Sequence, residues 1–482
     1  MKLPKVAAAA AGPAPALLVA AFLVAAASAL AASSPPAAVA PPPAVTLLDT
    51  DHRELREIAA AVDAGELRAT LTRLVAFGTR HTLSDTRSDS RGIGAARRWA
   101  TSRFEAYGKA CGGCLEIATP GQTFTGARSP TGVLVEDVLA IQRGSSDPER
   151  VVLIAGHLDS RASDAMDAIS DAPGADDDGS GVAAVMEAAR VLSRYRFAAT
   201  IVYAVLSGEE QGLYGGQLLA RFAAERAWRI EADLNNDIVG NIHGQGGETQ
   251  SGYVRVFSEG TRTLETAAEA GQRRYHGGEV DSPSRNLARY VAELADRYLA
   301  PFRVRLVYRT DRYGRGGDQV PMLEAGYPAL RLTEAAENYD RQHQNVRTEH
   351  GVHYGDVLDG VDFPYLANVA RLNAIALASL AWAPAPPTGV EIEGAVRPDT
   401  TLRWSPVADA SSYRVWWRDT TEPRWSLGRG AGSGTSLKLE HVVIDDWFFG
   451  VQSVSKDGYA SPVVFPGAAG AFATPSRPPP TR

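Results

Sequence analysis

The sequence has little cysteine and no excess of positive charge. Two of its 482 residues are cysteines, Cys111 and Cys114 in KACGGCLE, and the formal net charge is −7. A zinc site made of thiolates needs about four ligands, so a site built from cysteine alone is excluded. A nucleic-acid-binding chain usually carries a basic stripe, and the acidic balance argues against nucleic acid as a partner.

Long apolar runs are also scarce, apart from one near the N-terminus. Lys2 and Lys5 precede an Ala/Leu/Val run through residues 16–31, which ends in the small-x-small triplet ALA. This pattern predicts a secretory signal peptide over residues 1–31, and therefore a secreted or periplasmic protein without membrane contact after cleavage. A retained membrane anchor is the alternative, because the run is nearly long enough to span a bilayer.

The segment after the predicted signal peptide is rich in proline and alanine. Residues 32–46 (AASSPPAAVAPPPAV) therefore indicate a linker. In an exported chain, two cysteines three residues apart favour one small-loop disulfide. A redox C-x-x-C motif is the alternative interpretation of the same pair.

From residue 47 to residue 383 the chain alternates buried strands with amphipathic helices. Strand-like segments include RVVLIAGHLDS, TIVYAVLSG and PALRLTEA, and helix-like segments include GSGVAAVMEAARVLSRY and PYLANVARLNAIALASLAW. This alternation predicts an α/β domain with a mostly parallel mixed sheet covered by helices on both faces. A chain of this length exceeds one core, so we expect a second domain.

The pattern of apolar and turn residues changes at WAPAPPTGVEIEG. Residues 384–475 show short alternating strands separated by turn residues, which predicts a small all-β sandwich. The segment resembles a fibronectin type III domain, notably in Trp404, Tyr413 and FFGV at 448–451. Residues 476–482 (SRPPPTR) indicate a disordered tail. Trp416, Trp417 and Trp425 form a candidate aromatic patch for cell-surface or polymer contact, with core packing as the alternative.

Acidic side chains and imidazoles recur where the predicted strands end. Ligands bind at the carboxyl ends of strands in open α/β sheets, so we expect these side chains to converge. So many carboxylates would be costly in a partly buried site without cations. Nitrogen and carboxylate donors without thiolate suit zinc, with manganese or cobalt as substitutes. The residues are His157, Asp159, Asp176, Asp177, Asp178, Glu209, Glu210, Asp237 and His343.

Each of these features has an ordinary structural explanation when taken alone. Aspartates before a helix are usually caps, and adjacent glutamates favour a helix N-terminus through its dipole. His157 with Asp159 is compatible with a loop pair, and His343 with a solvated surface histidine. Their succession at one strand end after another favours a shared site. Their number is enough for two metals with a bridging carboxylate, roughly 3.5–4 Å apart.

The combined motifs resemble the secreted zinc-dependent aminopeptidases of metallopeptidase family 28. The resemblance runs from about residue 47 to residue 382, through GHLDS, GADDDGSG, LSGEEQGLYGG, NNDIVGN and a late histidine. It also includes FGTRHTLSD near the start and ENYDRQHQN near the end. The resemblance implies the zinc exopeptidase fold, two Zn²⁺ per chain and peptide or protein N-termini as substrate.

The resemblance also implies roles for individual residues. His157 and Asp237 match ligands of one zinc, with Asp159 as a partner of His157 that does not bind metal. Glu210 and His343 match ligands of the other zinc. Asp176 matches the bridging carboxylate, with a cis peptide to Asp177. Glu209 matches the general base that takes a proton from a metal-bound water as it attacks the N-terminal peptide bond.

Some assignments stay open at this level. His81 has a functional and a structural interpretation, and His350 and His353 compete with His343, which the ENYDRQHQN context favours. Relatives often have Asp-His where this chain has Asp318 and Gln319, a departure outside the ligand set. A same-fold carboxypeptidase, a glutaminyl cyclase and a non-catalytic receptor-like binding module are the alternative functions.

Overall fold

The computed structural model describes residues 50–472. The predicted signal peptide, the linker and the C-terminal tail lie outside these residues, so they remain predictions. Among the helices of residues 50–472, none combines the length and the apolar character that crossing a bilayer requires.

Helices begin where a capping side chain precedes an apolar stripe. Ser282 caps one helix by accepting a hydrogen bond from the backbone of Arg285, and Asp362 caps another in the same way. These caps satisfy amide groups that have no partner inside the helix. The helices are α1 (Arg53–Ala61), α2 (Ala64–Val75), α3 (Gly92–Ala110), α4 (Gly179–Leu192), α5 (Glu209–Gly212), α6 (Tyr214–Glu225), α7 (Ala267–His276), α8 (Pro283–Tyr298), α9 (Gln319–Glu324) and α10 (Phe363–Trp382).

The strands of the α/β part form one large sheet and two small hairpins. β2 pairs with β3 and β11 with β12, whereas the others join the eight-stranded sheet in the order β1-β4-β6-β5-β7-β10-β8-β9. The strands are β1 (Glu116–Ala118), β2 (Gly121–Gly126), β3 (Ser129–Glu136), β4 (Val138–Gln142), β5 (Asp147–His157), β6 (Ala199–Leu206), β7 (Arg229–Asn236), β8 (Tyr253–Phe257), β9 (Arg303–Val307), β10 (Ala329–Thr333), β11 (Arg347–Glu349) and β12 (Val352–Tyr354).

The centre of the large sheet is parallel and its flanks are mixed. β6, β5, β7 and β10 run parallel to one another, and β8 pairs with β9 in parallel. β1, β4 and β8 introduce antiparallel pairs. The predicted fold class, a mostly parallel mixed sheet, is therefore confirmed.

The sheet is buried on both faces, as a helix-covered sheet must be. Alternate residues of β5 point to opposite sides: Val152 and Ile154 pack with α4 and α10, whereas Leu153 packs with α6 and α9. All eight residues of β6 are buried. The continuous apolar run of this strand therefore reflects burial on two sides rather than one.

Sequence patterns located the central strands but missed the ends of the sheet. The segment at residues 132–144 looks like one strand, yet it divides between β3 and β4, which belong to different sheets. The break lies at Asp137, a buried residue whose carboxylate accepts a hydrogen bond from the backbone of Ser207. β8 and β9 have five residues each and lie at one end of the sheet, and neither was predicted.

The two cysteines form a disulfide, Cys111–Cys114. The bond follows the last turn of α3. The expectation of one small-loop disulfide is confirmed, and the redox alternative had no further support from the fold, because the pair ends a helix rather than opening one.

Residues after α10 form two three-stranded antiparallel sheets with their own core. Alternate residues of the central strand, Tyr413, Val415 and Trp417, point into that core. The sheets have the orders β13-β14-β17 and β16-β15-β18. Their strands are β13 (Glu391–Glu393), β14 (Thr400–Arg403), β15 (Ser412–Asp419), β16 (Leu427–Gly432), β17 (Ser436–Leu439) and β18 (Trp447–Val454).

The predicted aromatic patch does not exist on this sandwich. Trp417 lies fully inside the core and Trp425 is buried, with its indole donating a hydrogen bond to Asn286 of α8. Trp416 is half-buried and donates to Gln452. Trp417 and Trp425 thus follow the core-packing alternative, and the three residues do not form an exposed contact surface.

A buried ion-pair cluster joins the sandwich to the α/β part. Asp281 accepts hydrogen bonds from Arg289 at 2.7 Å and from Arg418 at 2.8 and 2.9 Å. The three side chains are at most 1% exposed. Arg289 also donates to the carbonyl of Pro423, in the sandwich. The two parts therefore share a desolvated network rather than a simple tether.

We expect Asp281→Asn to destabilise the protein by about 3–5 kcal/mol, because two buried guanidiniums would lose their counter-charge. The matched control is Asp296→Asn, which removes a half-exposed ion pair with Arg424 across the same boundary and should cost less than about 1 kcal/mol. Urea unfolding of the full chain measures both. Equal effects of the two substitutions would contradict a buried, energetically important cluster.

Candidate metal centre

Two groups of nitrogen and oxygen donors lie at the carboxyl end of the large sheet. One group contains His157, Glu209 and Asp237, and the other contains Asp177, Glu210 and His343. Within each group the ligand atoms lie within 4.8 Å of one another. The strand ends thus converge as the sequence predicts.

Asp177 lies between the two predicted histidines. Its Oδ1 is 3.2 Å from Nε2 of His157, and its Oδ2 is 3.0 Å from Nε2 of His343. One carboxylate therefore faces both groups, which is the geometry that a bridging ligand requires. The prediction that Asp176 has this position is corrected, and so is the cis peptide, which joins Asp177 and Asp178.

The three consecutive aspartates point in different directions. Asp176 turns away from the imidazoles, and its Oδ1 accepts a hydrogen bond from the backbone of Gly240 at 2.7 Å. Asp178 caps α4 by accepting from Gly181, and it also accepts from the backbone of His157 at 2.9 Å. The capping explanation is thus right for Asp178, whereas Asp177 alone reaches the centre. The motif of three identical residues gave no way to tell them apart.

His157 ends β5 with its ring held in one orientation. Its Nδ1 lies 3.0 Å from the main-chain oxygen of Asp159. A carbonyl only accepts, so Nδ1 carries a proton, while Nε2 faces Asp177 and, 3.8 Å away, Asp237. The side chain of Asp159 is farther off, at 3.6 Å from Nδ1.

The carboxylate of Asp159 instead holds the turn that carries the two glutamates. It accepts hydrogen bonds from the backbone amides of Gly208, Glu209 and Glu210, at 2.9, 3.2 and 3.1 Å. Gly208 has φ 80°, a conformation that favours glycine. The tight turn separates consecutive side chains, so that Glu209 joins the group of His157 and Glu210 joins the group of His343.

His343 lies on the loop after β10. Its Nε2 is 2.9 Å from Oε1 of Glu210, and its side chain is 31% exposed. The competing His350 and His353 lie on the exposed β11–β12 hairpin, where His353 contacts Thr348. The structure therefore brings His343, and neither competitor, to the carboxylates.

A buried arginine contacts Asp237 from behind. Nη1 of Arg331 is 2.5 Å from Oδ2 of Asp237, and both side chains are buried. Although burial opposes ionisation, this guanidinium and His157 hold the pKa of Asp237 below its ordinary value. Gln319, at the position of the departure from relatives, donates to Asp311 at 2.6 Å and does not enter either donor group.

The segment Arg80–Thr82 supports the centre without reaching it. Arg80 is fully buried and donates to the main-chain oxygens of Leu158, which follows His157, and Gly174, which precedes Asp177 in the next loop. Burial lowers the pKa of Arg80 to about 10. Thr82 donates to Asp159 at 2.7 Å. The segment lies in the motif FGTRHTLSD, and the sequence alone indicates no role for Arg80 and Thr82.

His81 has a structural role in this segment. It is fully buried, its Nδ1 accepts from the backbone of Leu83, and its Nε2 lies 3.0 Å from Ala165 O and from Gln211 Nε2. It belongs to neither donor group. The open question about His81 is therefore answered in favour of loop organisation.

The donor chemistry fits divalent cations. Oε1 of Glu210 is buried and forms no hydrogen bond within residues 50–472, although an imidazole nitrogen lies 2.9 Å away. Burial alone would lower the pKa of His343, but Glu210 and Asp177 raise it to about 10. The carboxylates of Glu210 and Asp177 thus favour a positive charge beside them. Nitrogen and carboxylate ligands without thiolate suit zinc.

Known proteins are similar to this chain in both sequence and fold. The sequence model of peptidase family M28 matches residues 137–357. A probable zinc metalloprotease of Pyrenophora tritici-repentis is 42% identical, covering 86% of this chain and 86% of that protein. A probable zinc metalloprotease of Leptosphaeria maculans is 42% identical, covering 86% of this chain and 96% of that protein.

A solved structure extends the comparison to the fold. The LapA aminopeptidase of Legionella pneumophila superposes with a TM-score of 0.50 at 20% identity, covering 69% of this chain and 75% of that one. At this identity the likeness concerns the fold alone. The two zinc metalloprotease relatives are similar over most of the chain at 42% identity, and the family model matches residues 137–357. The chain therefore belongs to peptidase family M28.

Proposed function

We propose that this protein is a zinc-dependent aminopeptidase that hydrolyses the N-terminal bond of peptides. One observation carries the proposal: Asp177 faces two separate donor groups, one of which also contains Glu209. This arrangement supports two Zn²⁺ per chain, with Asp177 rather than Asp176 shared between them. The printed names of both fungal relatives include zinc metalloprotease.

The protein's own groups then have separate tasks. His157 and Asp237 would hold one cation, and Glu210 and His343 would hold the other. When bound, zinc would polarise the peptide carbonyl and lower the pKa of a water molecule. Glu209 takes the proton from the attacking water and passes a proton to the leaving amine. Asp159 keeps Glu209 and Glu210 apart by holding their backbone amides.

The chemistry of the centre favours the amino end of a peptide. Four carboxylates, Asp177, Glu209, Glu210 and Asp237, belong to the two donor groups. Glu209, to which the proposal assigns no metal, offers a carboxylate that an α-ammonium complements. A carboxypeptidase or glutaminyl cyclase of the same fold is the alternative. A receptor-like module would be expected to lack at least one donor.

We also propose that the enzyme is exported. Support comes from the predicted signal peptide over residues 1–31 and from the disulfide Cys111–Cys114, since structural disulfides persist in oxidising compartments. The fibronectin type III resemblance of the sandwich stays a prediction, as does the domain boundary at residue 384. We propose that the sandwich contacts a cell surface or a polymer, although not through the three tryptophans.

Adjacent glutamates offer a matched test of the assigned roles. Glu209→Ala should lower kcat by about a hundred-fold to ten-thousand-fold, because proton transfer contributes that much, while zinc stays bound. Glu210→Ala should lose zinc as well as activity. Turnover of an aminoacyl chromogenic substrate and zinc content by elemental analysis measure the two effects. Normal turnover by Glu209→Ala would contradict its role as the base.

The choice of the peptide's amino end has its own test. A tripeptide with a free N-terminus should be shortened by one residue from that end, and the same peptide acetylated at its N-terminus should not react. Mass spectrometry of the products after incubation with zinc-loaded enzyme distinguishes the two. Removal of the C-terminal residue from the acetylated peptide would instead establish a carboxypeptidase.

A further inference from the structure

Two arginines flank Glu210 at the edge of the metal centre. Nη1 of Arg161 is 3.8 Å from Oε2 of Glu210, and Nη1 of Arg128 donates to the main-chain oxygen of Glu210 at 2.5 Å. Neither belongs to a donor group. Resting on the aminopeptidase function proposed above, we propose that Arg161 and Arg128 bind a carboxylate of the substrate, so that the enzyme prefers acidic peptides.

The guanidinium of Arg161 has donor capacity to spare. Its other contacts are with two neutral acceptors of its own loop, the carbonyls of Ala162 at 3.3 Å and Ser163 at 3.2 Å. Its side chain is 12% exposed and faces Oε2 of Glu210, the carboxylate whose Oε1 contacts His343. In the proposed site Glu210 serves a cation. Arg161 therefore keeps a positive charge at this edge of the centre.

Arg128 is held in place by a rigid hairpin. It lies at the turn between β2 and β3, and Phe124 of β2 stacks on Tyr214 with ring centroids 4.7 Å apart. The hydroxyl groups of Tyr214 and Ser129 are 2.8 Å apart. Since Tyr214 begins α6 immediately after the glutamate turn, the hairpin fixes Arg128 beside Glu210. Within residues 50–472, no carboxylate lies at ion-pair distance from Arg128.

Three arginines of residues 315–347 have carboxylate partners instead. Arg347 pairs with Glu349, Arg341 with Asp359 and Arg315 with Glu337. The proposed cations sharpen the contrast, because two divalent cations would offset the four carboxylates of the donor groups. The charges of Arg161 and Arg128 then remain for a ligand. Guanidinium groups bind carboxylates with charge-assisted hydrogen bonds.

The substrate carboxylate has two chemical sources. It is either the side chain of an N-terminal aspartate or glutamate, or the C-terminal carboxylate of a dipeptide. Each arm of the test compares an acid with its neutral isostere on the zinc-loaded full chain. The first arm compares aspartyl and asparaginyl p-nitroanilides, and glutamyl with glutaminyl. The second compares Ala-Ala with Ala-Ala amide.

We expect the acid to exceed its isostere in kcat/KM by about ten-fold to a hundred-fold in one arm, the usual strength of a hydrogen bond to a charged group. In Arg161→Gln and Arg128→Gln this ratio should fall towards about one, chiefly through KM. Arg347→Gln is the matched control, because Arg347 is already paired, and its ratio should equal that of the wild type.

Binding without turnover provides an independent measurement. Aspartate should stabilise the zinc-loaded protein against heat more than asparagine in the first case, and Ala-Ala more than its amide in the second. An enzyme that cleaves neutral substrates but shows no acid preference in either arm overturns the inference and leaves the aminopeptidase intact. An enzyme that cleaves no substrate with a free N-terminus refutes the proposed function, while thermal stabilisation by the acids still tests the arginines.

Discussion

Repulsion between carboxylates is the constraint around which this structure is arranged. Asp177, Glu210 and Asp237 are buried together at one edge of the sheet, and Glu209 lies beside them. Negative charges at such spacing are costly in a partly desolvated site. Two imidazoles, a buried guanidinium and the proposed cations offset that cost. The surrounding fold can be understood as the means of keeping these charges in place.

The support consists mainly of backbone amides and buried charged side chains. Asp159 holds the amides of residues 208–210, and Asp356 accepts hydrogen bonds from the amides of Asp176 and Asp177. Arg80 ties the loops that follow β5 and precede α4. These contacts hold the backbone that carries Asp177, Glu209 and Glu210. They therefore fix the directions of those side chains, and catalysis depends on such positioned groups.

The sequence allowed the prediction of the sheet and of the edge where the site lies, because buried strands give continuous apolar runs. It also indicated His157, Glu209, Glu210, Asp237 and His343, which all join the donor groups. It did not distinguish Asp177 from Asp176, since identical neighbours differ only in backbone direction. The buried arginines were missed as well, because a charged residue in a strand or loop is ordinarily exposed.

The central claim is that two cations lie on either side of Asp177. Crystals of the zinc-loaded full chain, measured at wavelengths just above and just below the zinc absorption edge, test it most directly. The account predicts two anomalous peaks per chain, one between His157 and Asp237 and one between Glu210 and His343, with Asp177 contacting both. A single peak, or peaks bridged by Asp176, would contradict the account.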